Sequence, residues 1–226
     1  LRFTNPSPSS QAMPPLPEER LYVRCFCLNL LSSQPNYNTE EQYMRIITGK
    51  ARGLQLLYQT YDVRPTADRV KESVFNIIGS KIIGAEVLDL FAGTGNLGLE
   101  SWSRGAAAIT FIDASKESLR LVRSNIAKCR AEADCRVLQG SAPAVAERLA
   151  AAGELFDFAF CDPPYNKGWI EQKLRFWAEV VFASGGYLVV ERSAHNALPE
   201  LPAGCELVRS SRYGETIVDF ICYNML

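Results

Sequence analysis

The sequence predicts an α/β protein: a doubly wound sheet of seven strands with helices on both faces. Three observations lead there. Strand-type and helix-type segments alternate from Glu86 to Glu191, a glycine-rich loop follows the first of these strands, and the chain closes on a probable hairpin around Tyr213-Gly214. Repeated β–α units imply parallel strands, and a terminal hairpin adds antiparallel ones.

The elements follow in order. Residues 1–43 carry Pro6, Pro8, Pro14, Pro15, Pro17 and Pro35 among many Ser, Asn and Gln residues, with little periodicity. They read as a disordered tail or upstream extension. Met44 opens the patterned part. Arg45–Gly49 and Leu54–Leu56 read as two short strands around the turn Lys50–Gly53, and Pro65-Thr66 offers a helix start ahead of Val70, Val74, Ile77 and Ile78 at helical spacing. Residues 44–81 thus form a small hairpin-and-helix extension on a catalytic core spanning 82–226. In that core the strands are 86–90, 108–113, 136–139, 156–161 and 187–191. The intervening helices run to Trp102, over 116–129, to about Gly153 and over 168–180, and 206–211 with 216–223 make the hairpin.

Composition bounds the function classes. The chain has 226 residues, 47% of them hydrophobic and 22% charged, enough for one full core plus an appendage. No apolar run approaches membrane-spanning length, which predicts a soluble cytoplasmic protein without a membrane partner. Seven cysteines without a C-x-x-C pair and without a secretory leader read as reduced packing residues. Cys25-Phe26-Cys27 with the distant His195 makes a poor zinc set, so no metal is expected. The net charge is −1, but residues 44–81 hold seven basic side chains against three acidic ones, a local +4. A basic lobe on an acidic body suits an enzyme that grips a polyanion at one end; it equally fits a solvated face.

The chemistry-bearing motifs sit at strand ends. Asp89-Leu90-Phe91-Ala92-Gly93-Thr94-Gly95-Asn96-Leu97-Gly98 carries a G-x-G-x-x-G pattern where open α/β sheets bind nucleoside ligands. The glycines alone also describe an NAD loop. Asp89 tilts the reading toward S-adenosylmethionine, because a carboxylate there balances a cationic methionine end and would oppose a pyrophosphate. Asp113, at the end of the second strand, is placed for ribose hydroxyls or, alternatively, for capping a helix. Asp162-Pro163-Pro164-Tyr165 follows the fourth strand. Two prolines remove N–H donors and leave carbonyls as acceptors. The Asp162 carboxylate and the Pro163 carbonyl can hold an exocyclic amine, and Tyr165 offers a stacking face for a base.

These motifs resemble the amino-methyltransferase class, and the resemblance extends to the RsmD family. Met44–Gly49 with Arg52-Gly53, Arg64-Pro65-Thr66-Ala67-Asp68-Arg69 through Ile77, Leu88–Gly95 and Arg212-Tyr213-Gly214 all fit it. The resemblance implies a Rossmann-like class I S-adenosylmethionine-dependent methyltransferase acting on N2 of one guanine, of the guanine 966 type, in 16S ribosomal RNA. It implies cofactor contacts from Asp89, Phe91, Ala92, Gly93, Thr94, Gly95 and Asp113, and chemistry from Asp162, Pro163, Pro164 and Tyr165. It also implies RNA contacts from Arg45, Lys50, Arg52, Arg64 and Arg69, cations that give affinity through phosphates. Many relatives place a carboxylate or amide after the third strand; here Gly140-Ser141 stands there, leaving Ser141 as the expected adenine contact. The implied partner is 16S rRNA in the small subunit or its assembly intermediate, and the implied state is a monomer. An N6-adenine methyltransferase, an NAD-dependent oxidoreductase and a non-catalytic RNA-binding protein are the competing readings.

Overall fold

The computed structural model describes residues 44–58, 67–163 and 182–224. They contain helices α1 (Ala67–Ile78), α2 (Asn96–Ser103), α3 (Lys116–Cys129) and α4 (Ala142–Ala151). The strands are β1 (Glu86–Asp89), β2 (Ala108–Asp113), β3 (Cys135–Gln139), β4 (Phe156–Cys161), β5 (Phe182–Ser193), β6 (Cys205–Tyr213) and β7 (Thr216–Tyr223). All seven strands join one sheet in the order β3-β2-β1-β4-β5-β7-β6. Strands β1 to β5 pair in parallel, and β7 pairs antiparallel with both β5 and β6. The chain winds outward from β1 to β3, then returns to lay β4 on the other side of β1. The strand order therefore reverses between β1 and β4, the place where such sheets bind ligands.

Alternation along each strand builds the two layers. Val87, Ile109, Phe111, Phe158, Phe160 and Val189 face one core with Val74 and Phe75 of α1, Leu99 and Trp102 of α2, and Val122 and Ile126 of α3. Leu88, Ile112, Ala159, Leu188 and Val190 face the other core, which α4 covers with Ala142, Val145, Ala146 and Leu149. Two-residue periodicity with both faces buried is what a parallel sheet between helices requires.

Two expectations change. The two short N-terminal strands reduce to a single antiparallel bridge, Arg45↔Gln55. The cause is competition for backbone groups. Ile47 and Thr48 give their N–H groups to the Glu100 carboxylate, at 2.7 and 3.1 Å, and the Thr48 carbonyl accepts from the Ser103 hydroxyl at 2.6 Å. The fifth strand is longer than expected, reaching Ser193 because β7 continues beside it as far as Thr216. The helix expected over 168–180, like the Pro65-Thr66 start, lies outside the described residues. Among the described residues no helix is long and apolar enough to cross a membrane, and Cys129, Cys135, Cys161, Cys205 and Cys222 are free thiols.

Candidate cofactor and substrate site

The glycine loop is an extension of β1 squeezed between its neighbours. Leu90 donates its N–H to the Phe160 carbonyl at 3.0 Å, and Ala92 donates to Ile112 at 2.9 Å. The chain then turns sharply, with Gly93 at φ +53° and Gly95 at φ +82°, and Gly95 caps α2. Side chains rarely adopt this left-handed backbone, so glycine is required by conformation. Among the described residues, a Cβ on Gly93 would find only the Phe91 carbonyl, 4.0 Å away, which leaves space for a ligand on the outer side of the loop. Gly98 is required by space instead: its Cβ would stand 2.3 Å from Phe111 Cε1.

Two carboxylates brace this loop. Asp89 is buried, and its Oδ2 accepts the Gly98 N–H at 3.1 Å. Burial pushes its carboxyl up to about 7; the Asp113 charge adds to this and the Gly98 N–H opposes it. A cation brought beside Asp89 would favour the ionised form. Asp113 accepts the Gly93 N–H at 2.9 Å through Oδ2 and the Ser115 N–H at 2.7 Å through Oδ1. It is therefore not the cap of α3: Ser115 is, accepting the Ser118 N–H. Each carboxylate oxygen of Asp113 retains a second lone pair for hydroxyl donors. These features fit a cationic nucleoside cofactor: an open left-handed glycine turn, a buried carboxylate under it, and an acceptor at the next strand end.

Register brings the second motif alongside. Asp89 pairs with Phe160, and Leu90 bonds to Phe160, so the chain leaves β4 next to the glycine loop. Asp162 is exposed there and Pro163 is buried. Burial pushes the Cys161 thiol up, and the Asp162 and Asp89 carboxyl groups add to this. Pro164 and Tyr165 lie outside the described residues. Phe91 is half-buried against the α4-side core. Buried Thr94 lies within the loop, its hydroxyl 3.5 Å from Met44 Sδ. Ser141 is exposed and caps α4 without a side-chain bond.

Among the described residues, the expected RNA-facing cations are exposed but not equivalent. Arg45 is 3.6 Å from Asp68. Lys50 lies 3.8 Å above the Trp102 ring and 3.8 Å from Asp134. Arg52 and Arg69 are exposed, and Arg64 lies outside the described residues. Lys71, counted in the basic stretch, is 2% exposed and 3.4 Å from the fully buried Glu100. It donates to the Arg45 carbonyl and to Asn96 Oδ1, both at 2.6 Å, and desolvation lowers its pKa against the pull of Glu100 and Asp68. Lys71 therefore belongs to the interior. Glu100, Ser103 and Asn125 also hold residues 44–58 in place, Asn96 anchors Lys71, and motif reading assigned none of them this role. The available signal was spacing: Lys71 shares a helical face with Val74, Phe75 and Ile78, and Asn96, Glu100 and Ser103 share one on α2.

Comparison with known proteins places this geometry. The family model described as "Conserved hypothetical protein 95" matches residues 44–222, which include both motifs and the docked basic segment. The chain belongs to the RsmD family. Among RsmD-family relatives, "Ribosomal RNA small subunit methyltransferase D" of Escherichia coli K12 is 34% identical over 184 residues, covering 80% of this chain and 90% of the relative. "Putative rRNA methyltransferase YlbH" of Bacillus subtilis is 34% identical over 180 residues, covering 76% and 95%. The solved structure "Putative methyltransferase yhhF from Escherichia coli" superposes with a TM-score of 0.73 at 31% identity, covering 81% of this chain and 99% of that one. The sheet therefore has the Rossmann-like class I methyltransferase architecture.

Proposed function

We propose that this chain transfers the methyl group of S-adenosylmethionine to the exocyclic N2 of a guanine, of the guanine 966 type, in 16S ribosomal RNA. The observation that carries the proposal is the pairing of β1 with β4. It sets the Asp89–Gly95 loop and the Asp162-Pro163 step side by side at the switch point. The names of the RsmD-family relatives, ribosomal RNA methyltransferases, support the substrate class.

S-adenosylmethionine supplies an electrophilic methyl group on a sulfonium. The chain's own residues supply placement. The turn Phe91–Gly95 receives the nucleoside, Asp89 balances the cationic end, Asp113 accepts from ribose hydroxyls, and Ser141 accepts from the adenine amine. A guanine N2 is a weak nucleophile because its lone pair is delocalised into the ring. The Asp162 carboxylate and the Pro163 carbonyl each accept one N–H, which aims the lone pair and favours the charge developing on nitrogen. Asp162 is exposed, so the proton released from that nitrogen can pass to water. Pro164 stiffens the step and Tyr165 stacks on the base. Arg45, Lys50, Arg52, Arg64 and Arg69 contact phosphates of the small subunit or its assembly intermediate. In this reading 44–81 is the RNA-facing part of a cytoplasmic monomer, 82–226 is its catalytic core, and 1–43 is an appendage.

The test is methyl incorporation from labelled S-adenosylmethionine into ribosomal RNA, free and in small subunits, from cells lacking the gene, followed by digestion to nucleosides. N2-methylguanosine at one position is expected. N6-methyladenosine would replace the target, and absence of label in every RNA form would refute methyl transfer.

A further inference from the structure

Asn125 is completely buried in α3, and its carboxamide grips two separate pieces of backbone. Its Oδ1 accepts the Leu57 N–H at 2.7 Å, while its Nδ2 donates to the Leu57 carbonyl and to the Thr94 carbonyl, each at 2.9 Å. Both amide hydrogens and the oxygen are used. The reversed amide would set oxygen against two carbonyls, so the network fixes the orientation.

The two pieces are those the proposed function needs in register. Thr94 stands between two glycines of positive φ, where no helix or strand holds its carbonyl. Leu57 lies in residues 44–58 of the basic stretch and is 46% exposed; the paired backbone bonds to Asn125, rather than burial, fix it there. A second tie runs parallel to the first. Lys71 joins the Arg45 carbonyl to Asn96, the first residue of α2 after the loop. Side chains of α3 and α1 thus tie residues 44–58 to the loop and to the start of α2.

We propose that Asn125 is a positioning residue that makes ordering of the cofactor loop and ordering of the basic segment one event. It rests on the reading that Gly93–Gly95 receives a nucleoside cofactor and that 44–58 faces RNA. A ligand that fixes the Thr94 carbonyl then also fixes, through one amide, the backbone from which Arg45 and Arg52 project. RNA meeting that segment pays less ordering entropy, and the coupling is reciprocal.

Amide hydrogen exchange of the full chain, with and without saturating S-adenosylhomocysteine, tests this. In the unmodified protein the ligand should slow exchange at residues 92–95 and, at least about fivefold, at 54–57. In Asn125→Ala the slowing at 92–95 should persist and that at 54–57 should vanish. Asn125→Leu is close in volume and offers neither donor nor acceptor; it should give the same pattern if the alanine variant does not fold. No slowing at 54–57 in the unmodified protein, or its retention in either variant, overturns the proposal. No slowing at 92–95 would instead remove the cofactor reading of the loop, and this inference with it.

Discussion

Replacing Gly98 by alanine pits two effects of opposite sign against each other. Gly98 lies inside α2, where alanine should stabilise the helix by roughly 0.5–1 kcal/mol relative to glycine. The new Cβ, however, would meet Phe111 Cε1 at 2.3 Å, Phe111 Cζ at 2.7 Å and Ile109 Cγ2 at 2.9 Å. An ordinary carbon contact is about 3.5–4 Å, so α2 and β2 must separate by about 1 Å or the ring must leave its rotamer. Phe111 is fully buried and Ile109 nearly so, which leaves neither side chain room to yield. Overpacking of this kind costs about 1–3 kcal/mol. A 2.3 Å clash belongs in the upper half of that range, so after the helix gain the expected net destabilisation is about 1–2.5 kcal/mol. Urea denaturation of both proteins measures it through the shift in midpoint at constant slope. The ring is the obstacle, so Phe111→Leu should relieve part of the penalty. A double-mutant cycle should show a favourable coupling of at least about 0.5 kcal/mol. An alanine variant as stable as the parent, or more so, would refute the close-approach reasoning, because propensity would then be acting alone.

Asp162→Ala should abolish methyl transfer while leaving the fold intact; turnover near the parental rate would remove Asp162 from the chemistry. Glu100→Ala should cost about 3–5 kcal/mol by stranding the buried Lys71 ammonium. It would also leave the Ile47 and Thr48 N–H groups without the carboxylate that accepts them. Trypsin should then cleave faster at Arg45, Lys50 and Arg52, and unchanged cleavage would show that the segment is held elsewhere. Asp89→Asn isolates a pH effect. Folding raises the Asp89 pKa from 3.8 to about 7, so the folded state binds the extra proton between those values, and the parent loses stability as pH rises through that window. Relative to Asp89→Asn, the parent should lose up to about 4 kcal/mol between pH 4 and pH 8, at about 1.36 kcal/mol per unit. A difference that stays flat with pH would mean that burial does not protonate this carboxyl.

The sequence by itself determined the sheet and where its candidate site lies. Alternating β–α segments, buried on both faces, admit few arrangements other than a doubly wound parallel sheet. In such a sheet the C-terminal strand ends place the Asp89 loop, Asp113 and Asp162 together. These are local signals, because a glycine turn, a Pro-Pro step and a strand end are each written in a few consecutive residues. What only the tertiary structure decided concerns groups whose partners are distant in the chain. Lys71 and Arg69 are both cations on one helix, yet one is sealed against Glu100 and the other is exposed. Asp113 serves Gly93 and Ser115 rather than capping α3, and the expected N-terminal ladder gives way to bonds with Glu100 and Ser103. Asn125, 68 positions from Leu57 and 31 from Thr94, carries no local mark of its task. A buried polar group must find a partner somewhere, and which one it finds is set by how helices pack on the sheet.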